Sequence, residues 1–307
     1  MLGIILGFCC AIAFGTSAIV TRRGVLRASS NYIATISILT GPVFFLLIAS
    51  MTGDLYRTVQ FPWQAYVFLA LSGIIHFAFG RTWAYRSIQL IGSTRSYIVT
   101  GLNPIVSIAL AMIVLRETIK PLMALGILFS LSGPLLTLVK DHVEESGTQS
   151  IANSHRKELD RRTLYIGMLY GMGAAIFWGS SAIFIKLGLE KGGSPVGGSL
   201  IAYVAASIAI TPSLLLNQKN KKEILKIDKK SFQLALISGL TVNIAQLLRY
   251  LALGYGSVIL VTLLIRTVPL WVLLLSFIFN REYESFSRWV ILSNTLLIIG
   301  TILILIP

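Results

Sequence analysis

The chain has 307 residues, 55% of them hydrophobic and only 12% charged, with a formal net charge of +14. An average soluble domain carries about 25% charged residues, so the composition excludes an ordinary soluble globular protein. It also argues against the nucleic-acid partner that so basic a chain would otherwise suggest, because the basic residues sit in short loops where anionic lipid and topology control account for them better. Cys9 and Cys10 are the only two cysteines; adjacent inside an apolar run, they rule out a disulfide framework and lack the partners of a metal site.

The apolar runs are repeatedly about 20 residues long, enough to cross a hydrocarbon core of about 30 Å. The first, Leu2–Val20, has no basic n-region and no convincing cleavage site, so it reads as a span and not as a signal peptide. It carries small residues at every fourth position, Gly3, Gly7, Ala11 and Gly15, which line one helix face and permit close helix approach. Beside them lie Thr16 and Ser17. Tyr32–Met51 follows, then Trp63–Tyr85 with His76, Arg81, Trp83 and Tyr85, then Ser93–Leu115 with Arg95, Asn103 and Pro104, then Pro121–Val139. A polar linker, Lys140 to Arg162, holds DHVEES and HRKELDRR.

After the linker the pattern starts again. Thr163–Ile185 carries Gly167, Gly171, Ala175 and Gly179 at the same spacing, with Trp178, Ser180 and Ser181 beside them. Val196–Leu216 precedes a basic loop, Asn217–Lys230, which suits either a helix on the membrane surface or a solvated charge run. Phe232–Leu253 holds Asn243, Gln246, Arg249 and Tyr250; Val258–Phe279 holds Arg266 and Pro269; Phe286–Ile306 closes the series. The expected fold is an all-α membrane protein of ten transmembrane helices, divided into residues 1–139, the linker 140–162 and residues 163–307.

The halves echo each other. Beyond the small-residue stripe, Tyr85, Pro104, Arg116 and Glu117 recur as Tyr250, Pro269, Arg281 and Glu282. Five spans per half is an odd number, so two halves of one fold must enter the membrane from opposite sides, as an inverted-topology repeat that can expose a site between them first to one side and then to the other. Lys and Arg number 18 in the loops after odd-numbered spans and 6, counting Arg249, after even-numbered ones. That ratio predicts odd loops in the cytoplasm of a multi-pass protein of the cell membrane.

Pro104 and Pro269 each remove a backbone donor within a span, so a kink or break is expected there, and matching interruptions in two halves point toward a binding site. Glu117 and Glu282, thirteen residues after each proline, fall at membrane exits and read as interfacial anchors bonded to nearby loop or helix ends. Four arginines lie within or close to spans: Arg81, Arg95, Arg249 and Arg266. A charge in the membrane costs about 3 kcal/mol on insertion scales and marks function by default. Arg266 is about eight residues into its span, roughly 12 Å at the helical rise, and lacks an acidic neighbour in sequence. Its counter-ion is then an anionic substrate group, or else it bonds carbonyls freed around Pro269. Arg81, Arg95 and Arg249 lie nearer helix ends, from which long side chains can reach headgroups. Tyr85, Tyr250, Trp83, Trp178, Asn103, Asn243, Gln246, Ser17 and Ser181 can complete a polar and aromatic lining. His76 reads as a packed, hydrogen-bonded histidine or as a proton-coupling group.

Taken together, AIAFGTSAI at Ala11–Ile19, AIFWGSSAI at Ala175–Ile183, and the N-P-x12-E and V-P-x12-E patterns at Asn103–Glu117 and Val268–Glu282 resemble the drug/metabolite transporter superfamily, in the group built from two EamA domains. The resemblance covers essentially the whole chain. It implies ten helices in two inverted halves, a central cavity, and secondary transport of small metabolites such as amino acids, nucleosides or sugar-linked compounds. The residues and the resemblance lead to a secondary transporter of an anionic or zwitterionic metabolite, with lipid around it, no cofactor, and energy from a proton, another ion, a counter-substrate or the substrate gradient itself. No GxxxxGK[ST] motif and no nucleophile–base or HExxH cluster points to an ATPase or an intramembrane enzyme. A carrier of a lipid-linked phosphate headgroup and a non-transporting scaffold or sensor are the alternatives.

Overall fold

The computed structural model of the chain describes residues 1–25, 27–91, 99–119, 161–216 and 228–279, with scattered residues in 121–132 and 292–303. Among the described residues the regular structure is entirely helical. The first half contains α1 (Leu2–Val25), α2 (Ser30–Met51), the short α3 (Asp54–Val59), α4 (Trp63–Gly73), a π-helical segment (Ile74–Arg81), α5 (Thr82–Ile91) and α6 (Asn103–Val114). The second contains α7 (Arg161–Glu190), α8 (Pro195–Leu216), α9 (Lys229–Tyr255), α10 (Val258–Ile265) and α11 (Val268–Phe279). Six segments are long and apolar enough to cross a membrane, one in each of α1, α2, the α4–π–α5 run, α7, α8 and α9, and shorter apolar helices fill the fourth and ninth spans. The expected fifth and tenth spans, most of the linker, Arg95, Arg281, Glu282 and most of the basic loop lie outside the described residues. Asp228, at the end of that loop, caps α9 by accepting from the Ser231 N–H at 3.4 Å. Hydrogen bonding from Ser231 holds its carboxyl below the usual carboxylate range.

The halves are threaded through each other. α1 packs on α9, α10 and α11, whereas α7 packs on α4, the π-helical segment, α5 and α6. The first helix of each half therefore docks on the third and fourth spans of the other, as a two-fold relation between the halves requires. The small-residue stripes make this docking possible. A Cβ on Gly7 would lie 2.7 Å from Leu264 Cδ1, one on Gly15 2.8 Å from Trp271 Cβ, and one on Gly179 2.6 Å from the Asn103 carbonyl oxygen. In a bilayer, where apolar side chains gain nothing by leaving lipid, such close backbone approach supplies much of the helix association.

Both prolines open helices. Val99 and Thr100 are helical, Gly101 and Leu102 form a turn, and α6 then starts at Asn103 with Pro104 in its second position. The ninth span likewise breaks at Arg266–Thr267, and Pro269 is the second residue of α11. Proline suits a first turn, where its missing N–H would have no intrahelical partner. Two further prolines, Pro42 and Pro212, sit inside α2 and α8.

One end of the bundle is fastened by caps. Arg116 adopts a left-handed φ of 54° after the end of α6, and Glu117 then accepts from the Val258 and Ile259 N–H groups at 2.7 and 2.9 Å. The carboxylate thus satisfies orphan donors at the α10 N-terminus and meets the positive end of its dipole. Asp54 does the same for α8, accepting from Gly197 N–H at 3.0 Å and from the Ser194 hydroxyl. Both carboxylates come from the first half and both capped helices from the second.

Candidate functional site

The third span departs from α-geometry where it meets the second half. Trp178 Nε1 donates to the His76 carbonyl at 3.1 Å, and Gly80 leaves room for the indole, since a Cβ there would lie 2.5 Å from Trp178 Cδ1. A side chain set against the ladder is a known cause of such local widening, and π turns are frequent at functional sites. The consequence is positional. His76 and Arg81 are five residues apart, which in an α-helix puts them about 140° apart around the axis. In i→i+5 geometry they stack about one turn apart on the same face.

That face meets a buried polar cluster. Arg249 on α9 donates from Nη1 to His76 Nδ1 at 3.3 Å and from Nη2 to Ser181 Oγ at 3.1 Å. Ser181 Oγ also lies 2.9 Å from His76 Nδ1 and 2.8 Å from the Trp178 carbonyl, and its single proton is shared between these two acceptors. A guanidinium has no acceptor, so Arg249 makes Nδ1 the acceptor and leaves the imidazole proton on Nε2. Gln246 is 3.3 Å from Nε2. Only its amide oxygen can accept from Nε2–H, and in that orientation Gln246 Oε1, otherwise a buried oxygen without a partner, is satisfied. Arg81 donates to Ser37 Oγ at 2.6 Å and stands 5.2 Å over the Phe77 ring. Tyr250 shares a 3.0 Å hydrogen bond with Ser72, and Asn243 donates to Thr40 Oγ1 at 3.4 Å.

Arg249 corrects the expectation that it lies near enough to a helix end to reach headgroups. It is only 8% exposed and turned inward, six residues before the end of a 27-residue helix. It therefore also leaves the count of loop cations, whose sign does not change. Arg81 likewise points to Ser37 and not toward an interface.

A second group lies at the helix breaks. Arg266 Nη2 donates to the Gly101 carbonyl at 3.2 Å and to Asn103 Oδ1. The carbonyl it satisfies is therefore one freed beside Pro104 in the opposite half, not one beside Pro269. Among the described residues no hydrogen bond joins this group to the His76 cluster. Among the described residues Lys186 and Glu190 form an ion pair at 3.9 Å. Arg81, Arg249 and Arg266 have only neutral hydrogen-bond partners there.

The remaining candidates are scattered around these groups. Trp83 packs edge-on against Tyr170 and Phe177, Ser17 is buried in α1, and Tyr85 lies in α5. Spans two and seven contribute what the sequence reading missed: Ser37 and Thr40 on α2 and Tyr203 on α8. Tyr203 is fully buried and packs against Phe77 and Phe45 at 4.3 and 5.1 Å, and among the described residues its hydroxyl makes no hydrogen bond of ordinary geometry. Its ring fills the space left by Gly41, where a Cβ would collide with it.

The sequence matches the EamA-like transporter family over residues 1–139 and again over 165–306. The chain belongs to that family. As an EamA-like protein it is a multi-pass membrane transporter of the drug/metabolite transporter superfamily, with the two-repeat helical fold. It is similar to a solved crystal structure titled only as that of a protein, at 14% identity, with a TM-score of 0.76 over 98% of this chain and 94% of the other. At that identity the likeness speaks for the fold alone. No curated protein matches the EamA-like chain.

Proposed function

We propose that the protein carries a small anionic or zwitterionic metabolite by alternating access, with the carboxylate or phosphate of the cargo held at Arg249. The observation that carries this reading is a guanidinium buried between α4–π–α5, α7 and α9 whose hydrogen-bond partners among the described residues are a histidine nitrogen and a serine hydroxyl. A buried cation with neutral partners is costly, and an anionic group that enters the site relieves that cost. The planar fork suits carboxylate and phosphate alike. His76 is the proposed coupling group: a proton on Nδ1 and the Arg249 hydrogen bond compete for one lone pair, so protonation would free the guanidinium. Transport is tested by reconstituting the full chain in liposomes and measuring counterflow with amino acids, organic acids, nucleotides and sugar phosphates. Exchange of anions or zwitterions is expected. Flux of cations only would overturn the reading, and no flux with no binder would make the protein a scaffold or sensor.

The loops after odd-numbered spans are proposed to be cytoplasmic, from the Lys and Arg asymmetry. Cysteines placed singly in 217–230 are then expected to resist impermeant maleimide in intact cells and to react after permeabilisation. Labelling from outside intact cells reverses the orientation.

A further inference from the structure

We infer that Arg249, Arg81 and Tyr203 together seat a divalent oxyanion, so that the cargo is a dicarboxylate or a phosphate monoester and not a monoanion. This rests on the proposed anion site at Arg249 and narrows its substrate class.

Among the described residues none of these three buried or half-buried donors has an acidic hydrogen-bond partner. Arg249 bonds His76 and Ser181. Arg81 bonds a serine hydroxyl and faces an aromatic ring. The π turn brings Arg81 onto the face of His76, and hence of Arg249, about one turn along the axis, on the order of 5 Å. Phe77 ties the groups together: Arg81 stands over its ring, Tyr203 packs against it at 4.3 Å, and His76, the partner of Arg249, lies edge-on to it at 4.7 Å. Among the described residues the fully buried Tyr203 hydroxyl makes no hydrogen bond of ordinary geometry, and a buried polar group in that position calls for a reason. Its ring is locked between Phe45 and Phe77 and against Gly41, so the hydroxyl is held in place before any cargo arrives.

Charge then sets the class. A monoanion between these side chains neutralises one guanidinium and leaves the other uncompensated in a low-dielectric interior. A dianion neutralises both. The span of one turn suits two carboxylates on a short chain, and equally the clustered oxygens of a phosphate monoester, which carries close to two negative charges at neutral pH.

The test compares matched pairs on the full chain in lipid nanodiscs, read by calorimetry and thermal shift. The probes are malonate, succinate, glutarate and glycerol 3-phosphate, each beside its monomethyl ester, which keeps the skeleton and removes one charge. At least one dianion is expected to bind at least tenfold more tightly than its own ester, a difference of about 1.4 kcal/mol; which pair responds separates carboxylate from phosphate. Arg81→Gln is expected to bring that ratio close to one. Tyr203→Phe, which keeps the stacked ring, is expected to weaken the preferred dianion about fivefold or more with little change in thermal midpoint. Equal binding of dianions and esters overturns the inference and leaves the anion site intact. Binding of neither, with counterflow confined to neutral or cationic compounds, overturns both.

Discussion

Arg249→Gln is expected to reduce anion uptake into proteoliposomes about a hundredfold or more while leaving the protein folded. Truncating one partner of a buried, hydrogen-bonded charge pair typically costs 2–5 kcal/mol, and each 1.4 kcal/mol is tenfold. The variant separates a cargo site from a structural one. Were Arg249 only structural, losing its bonds to His76 and Ser181 would lower stability by roughly 1.5–3 kcal/mol for each charged hydrogen bond. For a cargo cation, the lost bonds are offset by removing an uncompensated charge that costs about 3 kcal/mol in the membrane. The expected shift in thermal midpoint is therefore small, within about 3 °C. Arg249→Lys keeps the charge without the fork and is expected to restore part of the uptake. Normal uptake by the Gln variant, at equal amounts of reconstituted protein, would sink the assignment.

Gly73→Ala is expected to have the largest effect on folding. Gly73 closes α4 where it crosses α8, and a Cβ there would run into the backbone of Ala202. Backbone cannot swing aside as a side-chain tip can. The variant must force the two helices apart, and overpacking of this kind costs about 3 kcal/mol, or about 6–12 °C of thermal midpoint for a chain of this size. The separation would also pull the adjoining π-helical segment from the second half. Gly53→Ala is the control. Gly53 has a φ of 72° but nothing within reach of a Cβ, so only backbone strain of about 1 kcal/mol is expected. Similar midpoints for the two variants, by tryptophan fluorescence in detergent, would mean that the α4–α8 crossing yields easily.

The architecture was readable because its physics is local. Runs of about 20 apolar residues announce spans, and Gly7, Gly15 and Gly179 announce close packing whichever helix supplies the partner. Pro104 and Pro269 likewise mark the breaks, since a proline disturbs a helix wherever it falls. The site was less readable because its geometry is borrowed. Nothing in IIHFAFGR distinguishes a π turn from an α-helix; the indole of Trp178, from the other half, is set against it. Arg249 sits six residues before a helix end, and only His76 and Ser181, from two other spans, turn it inward. Tyr203 lies in an apolar run where a tyrosine signals nothing. Its isolation shows only when every neighbour is placed. For Arg266 the sequence offered an anionic cargo or carbonyls beside its own proline, and its bonds go instead to Gly101 and Asn103 of the opposite half.

Arg266 and Gly101 occupy equivalent positions in the two halves, and they touch. Two equivalent points can meet only near the axis that relates them, so this contact marks the centre of the assembly. A pair of identical halves would make the two end states of a rocking carrier mirror each other in energy. Here the equivalence fails at its own pivot: the arginine reaches Asn103, while the glycine opposite has no side chain to return the grip. Glu117 and Asp54 add fastenings from the first half to helices of the second. Under the alternating access proposed above, the two end states are therefore expected to differ in energy, and part of any driving force goes into leaving the lower one.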